Sequence, residues 1–387
     1  MNKPSFTTPP SGTDQLFDAC GIAAFINIDG KMTDGRKIIS MITTMKDREN
    51  GLGAGYALYG LFPDQADLYC IQLILDDPES RERIRDYLKT RVKLVKDEEI
   101  HTQKTDGIAQ PYPLMWRFFV DPDQKESEED YMVKLVMEIN AAIEGAYCMS
   151  SGKNMAVFKG NGWSDDIAEF YNLQEYKSHM WLSHSRFPTN TPGWWGGAHP
   201  FNILSTAVVH NGEITSYGTN KRYLEMWKYK CALMTDSEVV TYLFDLLTRK
   251  HKLPPYIACL ALAPPYYHNI EEMEDEGERR LYQNLRRVYG PAMLNGPFSI
   301  CVGNNTPTHS LIGLTDRKKL RPLIAAGSKD GNTVYLSSEE CAIRVIGDEI
   351  GEVWAPNSGN PVIVEQGKGL IWKGTEEHLG NKKVIVN

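Results

Sequence analysis

Apolar residues in the first part of the chain follow two spacings, one typical of buried strands and the other of amphipathic helices. The almost continuous apolar run 21–27 predicts a buried strand that ends at the turn Asp29-Gly30. The next apolar residues recur three or four positions apart, which predicts a helix: Ile38, Met41, Ile42 and Met45. A Gly-rich loop then precedes a second predicted strand near Tyr56.

From residue 155 onward, short apolar runs separated by turn residues predict a series of antiparallel strands. A long helix is expected at about 237–249, and the charged stretch 269–288 is expected to form a solvated helix. The spacings alone therefore indicate a mixed α and β protein, without giving the order of its layers.

Residues 65–152 have the pattern of a separate small unit. Its elements are predicted in the order strand 68–75, helix 84–88, strand 92–95, strand 115–120, helix 132–143 and strand 146–149. Because β-α-β-β-α-β is the order of a ferredoxin-like fold, we predict an inserted ferredoxin-like subdomain here. The long segment 96–113 leaves room for a further element, and the role of the insert stays open.

Charge and hydropathy exclude several classes of protein. The chain has 387 residues and a net charge of −8, which argues against a partner such as nucleic acid or an anionic membrane surface. No apolar run approaches the roughly 18 residues that a membrane-spanning helix requires. The seven cysteines are scattered without a C-x-x-C pair, so neither a disulfide framework nor a zinc site is expected and a reducing cytoplasm is the predicted location. His184, His199 and His210 lack helical ligand spacing, and we expect neither a metal nor a cofactor.

Cys20 follows a polar, Pro-rich stretch of nineteen residues that has the character of a removable leader. Cleavage of the Ala19–Cys20 bond would give one residue both a thiol and a free α-amino group, that is, a nucleophile with its own base. A buried structural cysteine on a strand is the alternative. A lipoprotein signal is rejected, because residues 1–19 contain no apolar stretch.

Four short segments contain residue types suited to one chemistry. They are Cys20-Gly21-Ile22, the segment 184–195 with His199-Pro200-Phe201 shortly after it, His210-Asn211-Gly212-Glu213-Ile214 and Thr235-Asp236-Ser237-Glu238. Each has another explanation when taken alone: Asn211-Gly212 is typical of tight hairpins, and Thr235 with Glu238 fits a capping box. Their joint order and spacing favour a shared functional site.

With these segments the chain resembles the class II glutamine amidotransferases, and most of all the glutaminase domain of glutamate synthase. The shared motifs are Cys-Gly-Ile, His-x-Arg-Phe-x-Thr-Asn-Thr, His-Asn-Gly-Glu-Ile and Asp-Ser-Glu, and the likeness runs from Cys20 to residue 387 around the insert. Glu49, after Arg48, departs from the glycine usual in the family. The resemblance implies an α+β protein with the four-layer αββα fold of N-terminal-nucleophile (Ntn) hydrolases, interrupted by the ferredoxin-like βαββαβ module.

The resemblance also implies roles for the residues of these motifs. Cys20 would attack the δ-carbonyl of glutamine, with its freed amine as the base. The side-chain amide of Asn211 and the backbone N–H of Gly212 would stabilise the resulting oxyanion. The three are the expected catalytic residues.

A further set of residues is expected to bind the amino-acid head group. Arg186 offers a planar fork to the α-carboxylate, which a lysine could not duplicate. Asp236 would bind the α-ammonium while Glu238 caps the helix behind it. Thr189 and His210 complete the expected substrate-binding set through their places in the shared motifs.

The expected substrate is L-glutamine, and the ammonia it releases needs an acceptor. No segment resembles a flavin-binding barrel, a phosphoribosyl site or a sugar-isomerase domain. The resemblance therefore implies a subunit that delivers ammonia to a separate, flavin-containing subunit of the glutamate synthase type, although an N-methylglutamate synthase fits equally. The insert and the loop 194–197, expected to be exposed, are candidate docking surfaces.

Two other functions stay open at this point. An N-terminal-cysteine acylase or peptidase could share the fold, although such an enzyme would not need to bind a zwitterion. The second is a catalytically silent regulatory subunit that binds an amino acid. An intact leader in the mature protein would favour it, because the α-amine of Cys20 would then be tied up in a peptide bond.

Overall fold

The computed structural model describes residues 20–123, 127–187, 193–347 and 349–375. The predicted leader 1–19 and the predicted substrate-binding residue Thr189 lie outside the described residues. The strands are β1 (Gly21–Asn27), β2 (Thr33–Asp34), β3 (Ala54–Tyr59), β4 (Tyr69–Leu75), β5 (Lys93–Glu99), β6 (Leu114–Asp121), β7 (Ala146–Ser150), β8 (Met155–Gly160), β9 (Lys177–Ser178), β10 (Met180–Ser185), β11 (Phe201–Ile203), β12 (Thr206–Gly212), β13 (Phe298–Asn304), β14 (Ser310–Thr315), β15 (Ile324–Ser328), β16 (Thr333–Ser337), β17 (Ile350–Trp354), β18 (Val362–Glu365) and β19 (Gly369–Trp372). The helices are α1 (Arg36–Thr43), α2 (Pro78–Lys89), α3 (Glu128–Ala142), α4 (Ser164–Phe170), α5 (Tyr217–Met226), α6 (Asp236–Asp245), α7 (Pro255–Leu262), α8 (Tyr267–Glu271), α9 (Glu276–Val288) and α10 (Glu340–Arg344).

Two antiparallel sheets form the centre of the molecule. In the described chain the larger sheet has the strand order β17-β15-β16-β1-β10-β3-β8, and the smaller sheet has the order β11-β12-β13-β14-β18-β19. The sheets face each other, with β1 and β10 of the larger sheet in contact with β12 and β13 of the smaller. Apolar side chains from both inner faces meet in one core, as in other stacked sheets.

Helices cover the outer faces of both sheets. Helices α1, α4 and α10 pack on the larger sheet, and α6 packs on the smaller one. The four-layer αββα arrangement expected from the resemblance is therefore confirmed.

Local sequence accounts for the elements that carry the site. In β1 every residue is buried, which explains its continuous apolar run, because a strand between two layers has no solvent face. Helix α1 buries the predicted Ile38, Met41 and Ile42 against that strand. The helix predicted at 237–249 is confirmed as α6 with a π-helical turn, Leu246–Lys250.

The insert has the predicted β-α-β-β-α-β order, built from β4, α2, β5, β6, α3 and β7. Its sheet has the order β5-β6-β4-β7 with every neighbouring pair antiparallel, which is the ferredoxin-like arrangement. Residues 100–113, between β5 and β6, contain neither a helix nor a strand. The limits 65–152 stay a prediction.

The insert interrupts a β-hairpin of the larger sheet. Strands β3 and β8 are antiparallel neighbours, and Tyr59 at the end of β3 pairs with Met155 at the start of β8. The backbone N–H of Gly60 donates to the carbonyl of Asn154 at 2.8 Å. The chain therefore enters and leaves the insert at almost the same point.

The prediction of one solvated helix over 269–288 is wrong. The stretch forms two helices, α8 and α9, because the side chain of Asp275 caps α9 by accepting a hydrogen bond from the N–H of Glu278 at 2.7 Å. Helix α9 also buries Tyr282 and Leu285 on its inner face. Among the described residues, none of the helices combines the length and apolar character that a membrane crossing needs.

Candidate active site

A pocket of about 350 Å³ opens where β1, β10, β12 and α6 meet. Five of the seven predicted site residues line it: Cys20, Arg186, His210, Gly212 and Asp236. The structure thus brings together side chains that lie more than two hundred positions apart in the sequence. Asn211 is not among the lining residues, and Thr189 lies outside the described part of the chain.

Cys20 lies directly before β1, with its side chain partly buried. The backbone N–H of Phe187 donates to its Sγ at 3.3 Å, and Nε of Arg48 donates to its carbonyl at 3.2 Å. Burial raises the pKa of the Cys20 thiol, although the Phe187 N–H and the Arg186 charge act in the opposite direction. The resting thiol is therefore protonated at neutral pH and needs a base to become a nucleophile.

Arg186 follows the last residue of β10 and is only 5 % exposed. Its backbone N–H donates to the carbonyl of Gly53 at 2.9 Å, and its Nη1 lies 3.5 Å from the carbonyl of Leu52. Burial lowers the pKa of the Arg186 guanidinium, but arginine stays charged at neutral pH. A buried guanidinium on a pocket wall is suited to an anionic ligand group.

Asp236 begins α6 and faces the same pocket. Its Oδ2 accepts a hydrogen bond from the N–H of Ile214 at 2.9 Å, and the side chain is 28 % exposed. The carboxylate is thus held by backbone yet still reachable from the pocket. Together with the Arg186 guanidinium, this carboxylate gives the pocket one charged group of each sign.

The predicted capping box is only half correct. The side chain of Thr235 accepts from the N–H of Glu238 at 3.1 Å, as expected. The carboxylate of Glu238 does not return to Thr235; it accepts from the N–H groups of Ala232 at 3.1 Å and Leu233 at 3.0 Å. Burial raises the pKa of Glu238 to about 7. Glu238 therefore anchors the loop that precedes α6 rather than closing the cap.

Asn211 and Gly212 are consecutive residues of β12 and differ in orientation. Gly212 has a φ of +122°, and a Cβ there would lie 2.0 Å from the carbonyl oxygen of Pro297, so only glycine fits. Asn211 is fully buried, with its Nδ2 3.4 Å from Oγ of Ser338, which also accepts from the N–H of Ile22 at 3.1 Å. Gly212 forms part of the pocket wall, whereas the oxyanion role of Asn211 stays a prediction.

Three histidines and a serine form a buried cluster beside the pocket that the sequence reasoning did not anticipate. The rings of His184 and His199 stack with their centroids 3.9 Å apart. Oγ of Ser237 lies 2.5 Å from Nε2 of His199 and 3.0 Å from Nδ1 of His210. Burial lowers the pKa of all three histidines, so they are neutral near pH 7.

The position of these residues in the sequence gave only a weak signal for the cluster. His199 lies fifteen positions after His184 of the His-x-Arg motif, and Ser237 lies inside Asp-Ser-Glu, but nothing local shows that they meet. In the described part of the chain, no group of three His, Cys, Asp or Glu side chains is placed to hold a metal ion. The neutral rings instead pack the wall behind Asp236.

The expectation that the loop 194–197 is exposed is wrong. The ring of Trp194 packs edge-on against Tyr147 of the insert, with the centroids 5.1 Å apart. Trp195 packs against Phe170 with the centroids 5.6 Å apart, and Gly196 is buried. The aromatic pair therefore joins the insert and α4 to the site instead of forming an outer surface.

Comparison with known proteins points to one family. The family described as "Glutamine amidotransferases class-II" matches residues 109–383. A protein of Archaeoglobus fulgidus, described only as uncharacterized, is 47% identical over 90% of this chain and 93% of its own length.

Two more distant relatives have described activities. The large chain of the NADPH-dependent glutamate synthase of Bacillus subtilis is 23% identical over 85% of this chain, a match that spans 25% of that protein. An amidophosphoribosyltransferase of Methanocaldococcus jannaschii is 26% identical over 53% of this chain and 38% of its own length.

Proposed function

Because the chain belongs to the class II glutamine amidotransferases, we propose that it hydrolyses L-glutamine to glutamate and ammonia with Cys20 as the nucleophile. The observation that supports this most is that Cys20, Arg186 and Asp236 line one pocket. A pocket that holds a thiol together with a buried cation and a carboxylate suits glutamine, which has a reactive amide at one end and a zwitterionic head group at the other.

The head group of glutamine is bound by the charged walls in this proposal. Arg186 pairs with the α-carboxylate and Asp236 with the α-ammonium. His210, whose Nδ1 lies 3.9 Å from Oδ2 of Asp236, supports the carboxylate as a neutral ring. A ligand without either charge would leave a buried group unpaired, which gives the pocket its specificity.

The chemistry follows from the terminal position that we propose for Cys20. Its α-amine takes the thiol proton as Sγ bonds to the δ-carbon of glutamine, and the N–H of Gly212 and the amide of Asn211 stabilise the oxyanion. The C–N bond then breaks, the proton passes from the amine to the leaving nitrogen, and ammonia departs. Water, deprotonated by the same amine, cleaves the thioester, releases glutamate and restores the thiol.

Active protein is expected to begin at Cys20. The raised pKa of the thiol makes a base necessary, and only removal of residues 1–19 frees the α-amine of the same residue. Intact-mass spectrometry on protein of known specific activity measures this directly. Full turnover by a species that still carries Met1 contradicts the self-base mechanism and favours a different base.

We also propose that the ammonia passes to a separate, flavin-containing subunit of the glutamate synthase type. The likeness to the Bacillus subtilis glutamate synthase supports this, because three quarters of that protein lie outside the match. An ammonia-producing site in such a pair gains from being slow until the acceptor is bound, since free ammonia is lost to solvent.

Glutamine turnover is therefore expected to rise when the flavin-containing synthase subunit and its carbon substrate are added. Co-purification from the native host followed by a glutaminase assay tests this, with the synthase subunit alone as the control. A glutaminase rate that stays the same when any synthase-like subunit of the host is added indicates a free-standing glutaminase.

A further inference from the structure

Lys159 is a fully buried cation that the proposed chemistry does not use. It is the second-last residue of β8 and is 1 % exposed. Its Nζ donates to the carbonyls of Gly196 at 3.1 Å and Pro200 at 3.4 Å, and lies 4.4 Å from the ring centroid of Phe201. No carboxylate among the described residues forms an ion pair with it.

A lysine in this position is unfavourable for stability alone. An ammonium without a counter-ion loses most of its hydration on burial, whereas an apolar side chain of the same length would fill the space without that penalty. Burial lowers the pKa of Lys159 to about 7, and the nearby charge of Arg186 acts in the same direction. Cys148 and Glu238, from β7 and α6, act in the opposite direction. A lysine amine that is retained in spite of this desolvation cost points to a role outside the folding of the core.

The two carbonyls that Lys159 binds bracket one residue of the pocket wall. We call residues 194–200 the wall segment. It carries His199, which lines the pocket and lies 2.5 Å from Oγ of Ser237 through its Nε2. The same segment begins at Trp194, which rests on Tyr147 of the insert. Lys159 is thus the polar contact that fixes the wall segment from the side of the larger sheet.

We infer that Lys159 is a positioning residue for glutamine binding, which holds His199 and the wall segment in place through the carbonyls of Gly196 and Pro200. This inference rests on the proposed function, because the pocket it supports is the glutamine pocket. Lys159 does not line the pocket, so its effect falls on the binding of glutamine and not on the reacting atoms.

The test replaces Lys159 by methionine, which has similar length and no charge. We expect the KM for glutamine to rise about 10-fold while kcat stays within about 2-fold, since the wall moves but the nucleophile does not. The melting temperature is expected not to fall, because an unpaired buried charge has been removed. A merely structural lysine would show the reverse, with lower stability and unchanged KM.

The pH dependence of KM gives a second readout. In the wild type the ammonium of Lys159 loses its proton above about pH 7, so its bonds to the two carbonyls weaken and KM rises. Lys159→Met removes this component, while the titrations of Cys20 and of glutamine are common to both proteins. The difference between the two KM profiles therefore isolates Lys159 from the groups that face it: Cys148, Arg186, His199 and Glu238.

Lys153→Met is the matched control. Lys153 lies just before β8, its side chain is 38 % exposed, and it pairs with Glu128 at 2.8 Å. Its KM is expected to equal that of the wild type. A folded Lys159→Met protein with a KM within 2-fold of the wild type overturns the inference.

Two further measurements keep the result decisive. If Lys159→Met does not fold, Lys159→Leu is measured instead; it also removes the N–H donor, and an unchanged KM there also overturns the inference. Calorimetric binding of L-glutamine separates the two proposals. A wild type that binds but does not hydrolyse glutamine contradicts the proposed function, and the inference on Lys159 is then tested by comparing the Kd of Lys159→Met with that of the wild type. A wild type that neither binds nor hydrolyses it contradicts both.

Discussion

Replacement of Cys20 by alanine is expected to abolish glutamine hydrolysis, with a loss of about 10³-fold or more, because no other thiol is among the described residues that line the pocket. Labelling by a diazo-ketone analogue of glutamine should disappear with it. The side chain is only partly buried and its Sγ accepts one backbone hydrogen bond, so we expect the free energy of unfolding to change by less than about 1 kcal/mol. The measurements are a glutaminase assay, intact mass after labelling, and thermal unfolding.

Cys341→Ala is the control for this variant. Cys341 is the exposed cysteine of the chain and lies on α10, outside the pocket, so its replacement should leave both rate and labelling unchanged. Retained hydrolysis in a folded Cys20→Ala protein means that the nucleophile lies elsewhere. Loss of labelling in Cys341→Ala would show that the reagent does not report on the pocket.

Arg186→Lys is expected to raise the KM for glutamine by about 100-fold, corresponding to about 3 kcal/mol, because an ammonium cannot make the paired hydrogen bonds of a guanidinium to a carboxylate. The effect should fall mainly on KM, since in the proposed binding mode Arg186 contacts the head group and not the amide. Steady-state kinetics with L-glutamine give both parameters.

A change of substrate supplies the control for Arg186. 4-Aminobutanamide is glutamine without its α-carboxylate, so the wild type and Arg186→Lys should hydrolyse it with equal kcat/KM. A variant that is impaired equally on both substrates has lost the shape of the pocket and not a carboxylate contact. That outcome removes Arg186 from the proposed head-group site.

Sequence patterns predicted the elements well where burial alone determines the order of apolar residues. Helix α1, buried on one face, and strand β1, buried on both, are examples, because each kind of burial leaves its own regular pattern. The split between α8 and α9 escaped prediction for the opposite reason. Acidic residues are concentrated at 271–278, so the cap at Asp275 looks like one more surface charge.

The candidate site was predictable as a set of motifs but not as a geometry. Gly212 can offer only its backbone to the pocket, whereas the side chain of Asn211, the preceding residue of β12, is buried beside Ser338. The partners of Glu238 and the inward turn of Trp194 depend on contacts made only in the folded chain. No local pattern carries that information, because a tryptophan is the same residue type in the sequence whether it is buried or exposed in the fold.

The hairpin that surrounds the insert has a consequence for how such a protein could have arisen. Because Tyr59 and Met155 are cross-strand neighbours, a two-residue turn could close β3 onto β8, so the pairing of these strands is no obstacle to the gain or loss of a module at this site. The obstacle is the packing of the insert on its host, which includes the contact between Tyr147 and Trp194. Descendants that inherited different modules here would have had to rebuild the neighbour of Trp194, and with it one wall of the candidate pocket.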